Sequence, residues 1–137
     1  MLEIKNTEIE FIITVDDKQI NSADYPYYEI YLKLSITFIS GGVKYTSIWG
    51  CYNGEIKKFR AELTDLKDNN RNNTVVFSPM NESSTLTIEK ITTPYETYIL
   101  TLKLFSSLNS ETFIYSKSIL DQPYLSGIIE GVSDLLK

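Results

Sequence analysis

The strand-rich character of this chain is set by the stretch YEIYLKLSITFISGGVKY, which runs from Tyr28 to Tyr45. Apolar or aromatic residues occupy every second position from Tyr28 to Phe38, a period of two that is typical of a half-buried β-strand. The pair Gly41-Gly42 follows, and it favours the two-residue loop of a β-hairpin in the type I′ conformation. Val43 resumes the alternation. The stretch therefore predicts two antiparallel strands joined by a tight turn.

The same period of two recurs on both sides of this hairpin. Before it, one strand is predicted from the alternating residues Ile9, Phe11, Ile13 and Val15. After it, four more are predicted at Thr74 to Phe77, Thr85 to Ile91, Tyr95 to Phe105 and Glu111 to Ser118. The pattern predicts about seven strands in all.

Two segments have the apolar spacing of helices instead. The first places Ile56, Phe59, Leu63 and Leu66 on one face, with Asn53 as its expected N-cap. The second has Asp121 as its expected N-cap and Pro123 in its first turn. Gly127 and Gly131, one turn apart, would let the second helix approach its support closely. The sequence predicts a single α+β domain over residues 1–137: a mainly antiparallel sheet, in the order βββ-α-ββββ-α, with two amphipathic helices packed on it.

Composition removes most catalytic chemistry. The chain has no histidine, which excludes Ser-His-Asp and Cys-His arrangements and most zinc sites. Cys51 is the only cysteine, so no intrachain disulfide can form, and a buried hydrophobic role is expected for it. Asp16-Asp17 is the only evident carboxylate pair, and it falls in an expected turn. We therefore expect no enzyme, no catalytic residues, no cofactor and no metal.

Charge and hydropathy indicate the compartment and the partner. The segment Met1 to Glu10 carries no apolar core of a signal peptide, and no apolar run approaches the roughly 18 residues of a membrane span. We expect a cytoplasmic protein that does not contact a membrane. The formal net charge is −5, which argues against nucleic acid as a partner. Residues 1–29 carry this whole excess, because residues 30–137 hold eleven acids and eleven bases.

One candidate binding surface combines this negative charge with tyrosine. If the first two long strands turn their apolar sides inward, their outward sides share acidic and phenolic residues. The predicted partner-binding residues are Glu8, Glu10, Tyr25, Tyr27, Glu29 and Tyr31. Tyrosine is enriched at interface hot spots, and carboxylates would steer a basic partner toward them. The other interpretation is a solvated sheet face on which tyrosine merely favours β-structure.

The chain resembles the WapI-like group of bacterial immunity proteins in three local signatures. They are Ser47-Ile48-Trp49-Gly50, the helix segment Glu55-Ile56-Lys57-Lys58-Phe59-Arg60-Ala61-Glu62-Leu63, and Asp121-Gln122-Pro123-Tyr124-Leu125. The similarity covers most of residues 28–137. It implies a non-enzymatic protein of bacterial origin that neutralises a cognate toxin by covering its active surface, with a basic toxin domain as its partner.

Two other functions remain open from the residues alone. A general interaction or structural module, which could be homodimeric through an exposed sheet edge, would need no catalytic group. A small-ligand binder would need a cavity between the sheet and the helices. An enzyme that uses only carboxylates or lysine is the least favoured reading, since it would need a deep pocket with a strongly perturbed carboxylate.

Overall fold

The computed structural model describes residues 1–20, 25–68, 73–79, 83–92, 96–106 and 112–137. Its first half comprises strands β1 (Leu2–Lys5), β2 (Glu10–Ile20), β3 (Ile30–Ser40) and β4 (Val43–Tyr52), followed by helix α1 (Asn53–Asp68). Its second half comprises β5 (Thr74–Phe77), β6 (Thr85–Ile91), β7 (Thr97–Phe105) and β8 (Phe113–Asp121), followed by helix α2 (Pro123–Leu135). A 3-10 turn, Pro26–Tyr28, precedes β3.

The strands form two antiparallel sheets of four, each with its strands in chain order. We call β1–β4 the first sheet and β5–β8 the second sheet. The prediction of an α+β fold built mainly from antiparallel sheet is confirmed. The described part of the chain holds eight strands, whereas about seven were expected. The additional strand is β1, which pairs with the start of β2.

The central hairpin lies where the sequence predicts it. Ser40 pairs with Val43 across the loop, and the pairing continues to Tyr31 and Tyr52 at the far end. Of the two loop glycines, only Gly41 has a positive φ, at 57°. The turn is therefore not of type I′, because that type requires a positive φ at both central residues.

The inward sides of both sheets and the apolar sides of both helices form one continuous buried cluster. Its largest fully buried side chain is Trp49 on β4. The two sheets are also tied by a hydrogen bond, since the Tyr45 hydroxyl donates to the Phe105 carbonyl oxygen at 2.8 Å. This bond holds the tip of the β3–β4 hairpin against the end of β7.

Each helix follows one sheet and lies against the edge strand of the other. Helix α1 packs against β5, and α2 packs against β1 and α1. At the start of α1, the Glu55 carboxylate accepts the backbone N–H of Tyr52 at 2.7 Å, while the Asn53 side chain accepts that of Ile30 at 3.2 Å. Asn53, the first residue of α1, therefore links the helix to β3.

The second helix begins one residue later than expected. Asp121 is the last residue of β8, and the N-cap position is held by Gln122, which makes no side-chain capping bond. Pro123 occupies the first turn as predicted, where its missing N–H costs nothing.

A buried lysine fixes the end of α1. The Lys90 ammonium donates to the Leu66 carbonyl oxygen at 3.1 Å and lies 3.5 Å from a Glu96 carboxylate oxygen. The same carboxylate accepts the Tyr98 hydroxyl at 2.7 Å. Burial and this carboxylate raise the pKa of Tyr98. The network joins α1 to the second sheet through charge-assisted hydrogen bonds.

Two findings on the described residues concern membrane-spanning helices and metal sites. None of the helices in the described ranges combines the length and apolar character needed to cross a membrane. The same ranges contain no group of three or more acidic or cysteine side chains placed to hold a metal ion.

Candidate functional site

The predicted acidic and tyrosine residues do not come together as one surface. Glu10 pairs with Ile39 near the hairpin end of the first sheet, and the Glu8 carbonyl accepts a hydrogen bond from Ser40 there. Tyr31 pairs with Gln19 at the opposite end. Eight residues separate Ile39 from Tyr31, which corresponds to about 27 Å along a strand. The two glutamates therefore lie far from the tyrosines.

The tyrosines themselves form a packed cluster beside α1. Ring centroids are 4.8 Å apart for Tyr27 and Tyr28, 5.0 Å for Tyr28 and Tyr52, and 5.2 Å for Tyr31 and Tyr52, each pair meeting edge to face. Tyr27 lies against Gly54, where a Cβ would approach its Cα to 2.6 Å. Burial, and then the nearby Glu55 carboxylate, raise the pKa of Tyr27. Much of this cluster is structural.

Two of the predicted residues remain open to solvent beside this cluster. Tyr25 is 71% exposed, and Glu29 is exposed at the end of the 3-10 turn. A role in binding for all six predicted residues stays a prediction.

A second surface, which was not predicted from the sequence, concentrates aromatic and basic side chains. It is the outward face of β7 and β8 in the second sheet, where odd-numbered residues point away from the core. We call it the β7–β8 face and define it by Lys103, Phe105, Phe113, Tyr115 and Lys117. Phe113 and Tyr115 are 46% and 61% exposed.

The strand register brings these side chains side by side. Phe105 pairs with Phe113, Lys103 with Tyr115, and Thr101 with Lys117. The two phenylalanine rings are 5.1 Å apart and tilted by 34°. The Lys103 ammonium lies 5.0 Å from the Phe113 ring centroid and 5.6 Å from that of Phe105. Such cation–π contacts hold a positive charge at the edge of an aromatic platform.

Charge along this sheet is divided between its two ends. The three rows that run from Phe105 to Lys117 contain two lysines and no acid among the described residues of β5–β8. The acids of the outward face, Glu89 and Asp121, fall in the rows beyond. A chain with a net charge of −5 thus presents a locally basic, aromatic face.

A sequence signal for this face existed and was not used. Phe113, Tyr115 and Ile119 alternate along β8 with smaller or less bulky residues. A period of two normally identifies the buried side by its bulk. In β8 the bulky side is the exposed one, because the inward positions Ser118 and Leu120 are buried and Ile114 and Ser116 are half-buried.

Comparisons with known proteins address the fold. No protein-family model matches the chain, and no curated protein matches it in sequence. The resemblance to the WapI-like group therefore stays a prediction. Among solved structures, WHY1 from Arabidopsis thaliana is similar with a TM-score of 0.50 and 11% identity, covering 98% of this chain and 81% of that chain. The plant transcriptional regulator PBF-2 is similar with a TM-score of 0.48 and 8% identity, covering 98% and 86%. At these identities a likeness concerns the fold alone.

These findings correct the expected function and partners. WHY1, which shares the fold, is not described as a toxin inhibitor, and the prediction of an immunity protein that covers a basic toxin domain is wrong. The exclusion of nucleic acid as a partner is wrong as well. The two alternative functions, a general interaction module and a small-ligand binder, are supported only in part by the structural comparison. The partner argument failed because the net charge of a whole chain does not describe any one of its faces.

Proposed function

We propose that the protein binds single-stranded nucleic acid on the β7–β8 face. The observation that carries the proposal is the placement of Lys103 against the rings of Phe105 and Phe113, with Tyr115 directly opposite on the neighbouring strand. Aromatic side chains on a sheet provide stacking surfaces for successive unpaired bases, and nearby cations contact the phosphates between them.

A single strand fits this surface better than a duplex. Stacking on Phe113 and Tyr115 needs bases whose flat sides are accessible, and in a duplex those sides are covered by neighbouring base pairs. The face also offers few charges for a duplex backbone, since it carries two lysines. Its affinity should come more from stacking than from counterion release.

The proposal is tested by fluorescence anisotropy with a labelled thymidine oligonucleotide of about twelve nucleotides, its uridine counterpart and a hairpin duplex. Both single strands should bind more tightly than the duplex. Phe113→Ala and Tyr115→Ala should each weaken binding about 5- to 150-fold, because stacking on one ring contributes roughly 1–3 kcal/mol. Replacing Lys103 and Lys117 by glutamine should lower the slope of log affinity against log salt by about 0.7 per lysine.

Tyr25→Ala serves as the matched control. Tyr25 is the most exposed of the described tyrosines, at 71%, and it precedes the 3-10 turn before β3, outside the β7–β8 face, so its removal should leave affinity for this face unchanged. Absence of single-strand binding at low salt would overturn the proposal. So would an affinity that depends on Tyr25 and is insensitive to Phe113 and Tyr115.

For the compartment, we propose the cytoplasm. The support is the single cysteine, Cys51, which is buried, together with a sequence in which no disulfide can form within the chain.

A further inference from the structure

A cavity of about 300 Å³ opens on the outward face of the first sheet, whereas the β7–β8 face belongs to the second sheet. Its lining includes Asp17, Gln19, Tyr31, Lys33, Ile48 and Gly50. The register explains its shape, because Asp17, Lys33 and Gly50 form one row across β2, β3 and β4. Glycine supplies no side chain to this row, and the end of the Tyr31 side chain occupies the space above it.

The absence of a side chain at Gly50 is required by a close approach. A Cβ added at Gly50 would lie 1.7 Å from the Tyr31 hydroxyl oxygen and 2.6 Å from the ring carbon that bears it. The ring of Tyr31 therefore reaches across toward β4, where it also meets the ring of Tyr52 at 5.2 Å. One wall of the cavity is thus an aromatic side chain held in place by its neighbours.

A β-bulge places the carboxylate of the cavity. The register of β2 and β3 shifts between Val15 and Asp17, so that Asp17 pairs with Lys33 and shares its outward side. The bulged residue, Asp16, accepts a hydrogen bond from the Ser35 hydroxyl instead. Bulges commonly re-aim a side chain beside a functional site. Here the bulge places Asp16 beside Ser35 and Asp17 opposite Lys33.

Asp17 and Lys33 present opposite charges to the cavity without neutralising each other. They occupy directly opposed positions, yet no ion pair joins them in the described ranges. One Asp17 oxygen accepts the backbone N–H of Lys18 at 2.9 Å, and the carboxylate keeps further acceptor capacity. The cavity therefore combines a hydrogen-bond acceptor (Asp17), a cationic donor (Lys33) and an aromatic wall (Tyr31).

We propose that this cavity binds a guanine base. Guanine carries two adjacent N–H donors that suit the two oxygens of one carboxylate, and beside them an acceptor oxygen that suits an ammonium. Asp17 would accept from the donors, Lys33 would donate to the acceptor, and Tyr31 would contact the ring. A volume of about 300 Å³ lies at the lower end of ligand sites, which suits one ring system. If the guanine belongs to a nucleic acid strand, this proposal rests on the function proposed above. A free nucleotide would supply the same base and would not require that function.

The test measures both sources of the base on the intact protein. Isothermal titration calorimetry measures the binding of deoxyguanosine monophosphate directly. In parallel, anisotropy compares thymidine oligonucleotides that carry one central guanine, adenine or cytosine. We expect the guanine strand to bind about 5- to 150-fold more tightly than the adenine strand, the range for one good bidentate contact.

Asp17→Asn should remove this preference, and Asp16→Asn, the neighbouring carboxylate outside the cavity lining, should retain it. Gly50→Ala should abolish guanine binding because the new methyl group displaces Tyr31. If thymidine strands bind and guanine adds nothing, the guanine site is overturned while the proposed function stands. If the free guanine nucleotide binds and no strand does, the site stands and the proposed function falls. A preference for cytosine or adenine would overturn the guanine assignment.

Discussion

The two glycines of α2 should respond in opposite directions to alanine. Both lie inside the helix, where alanine is favoured over glycine by about 1 kcal/mol. A Cβ added at Gly127 would have no other atom within 4 Å, and the residue is exposed. A Cβ added at Gly131 would lie 2.9 Å from Leu2 Cδ1 and 3.0 Å from Leu2 Cα. The pair therefore shares one propensity gain and differs in one contact.

The magnitudes follow from these distances. Gly127→Ala should raise the free energy of unfolding by about 1 kcal/mol. Gly131→Ala gains the same amount and loses about 1–3 kcal/mol to overpacking, because Leu2 Cα belongs to the backbone of β1 and cannot rotate away. Its net effect should lie between zero and a loss of about 2 kcal/mol.

Urea unfolding followed by Trp49 fluorescence measures both variants, since Trp49 is fully buried and is the only tryptophan. Thermal unfolding provides a second readout, with a shift of about 4 °C expected per kcal/mol. Equal stabilisation by the two substitutions would refute the reasoning, because it would mean that α2 does not approach β1 as closely as described. Destabilisation by Gly127→Ala would contradict it as well.

Three further predictions concern individual groups. The hydrogen bond from Tyr98 lowers the pKa of Glu96 from its usual 4.5, so this carboxylate stabilises the fold above its unfolded pKa, and that contribution is lost as the pH falls through the lower folded value. Between about pH 6 and about pH 3, Glu96→Gln should therefore lose less stability than the unaltered protein in an acid titration; parallel curves would contradict this. Burial raises the pKa of Cys51 to about 12, so a thiol reagent at about pH 8 should label the native protein far more slowly than the urea-unfolded chain, and equal rates would be the contrary result. Asn53→Ala removes the acceptor of the Ile30 N–H and should lower the unfolding free energy by about 1 kcal/mol, whereas an unchanged urea midpoint would show that the bond contributes nothing.

Much of the secondary structure could be read from local pattern. The strands β5 and β6 have the bounds predicted for them, Thr74–Phe77 and Thr85–Ile91. Among the described residues, strand β7 begins at Thr97 and strand β8 begins at Phe113. The first residues predicted for these strands, Tyr95 and Glu111, lie outside the described residues.

The close approach of helix α2 to its support was predicted less well. Of the two glycines named for it, Gly131 meets β1 and Gly127 meets nothing. Spacing by one turn says that two residues share a helix side, and it does not say how far along the helix the partner strand extends.

The candidate sites were harder to predict than the elements that carry them. The β7–β8 face was missed because strand β8 turns its bulkier alternate residues outward, which reverses the usual inference from a period of two. The predicted acidic surface assumed that residues on the same face of two neighbouring strands also lie close to each other. The register instead puts Glu10 and Tyr31 at opposite ends of the first sheet.

By itself, the sequence determined the β-hairpin at Gly41-Gly42, the apolar sides of both helices and the antiparallel α+β class, because these depend on turn stereochemistry and on periods of 2 and 3.6 residues. Only the tertiary structure decided that the eight described strands divide into two sheets, that the Lys103 ammonium lies over two phenylalanine rings, and that a bulge sets Asp17 opposite Lys33. These features depend on which strands pair and in what register, and pairing between distant residues is selected by the burial of the whole core, which no local pattern records.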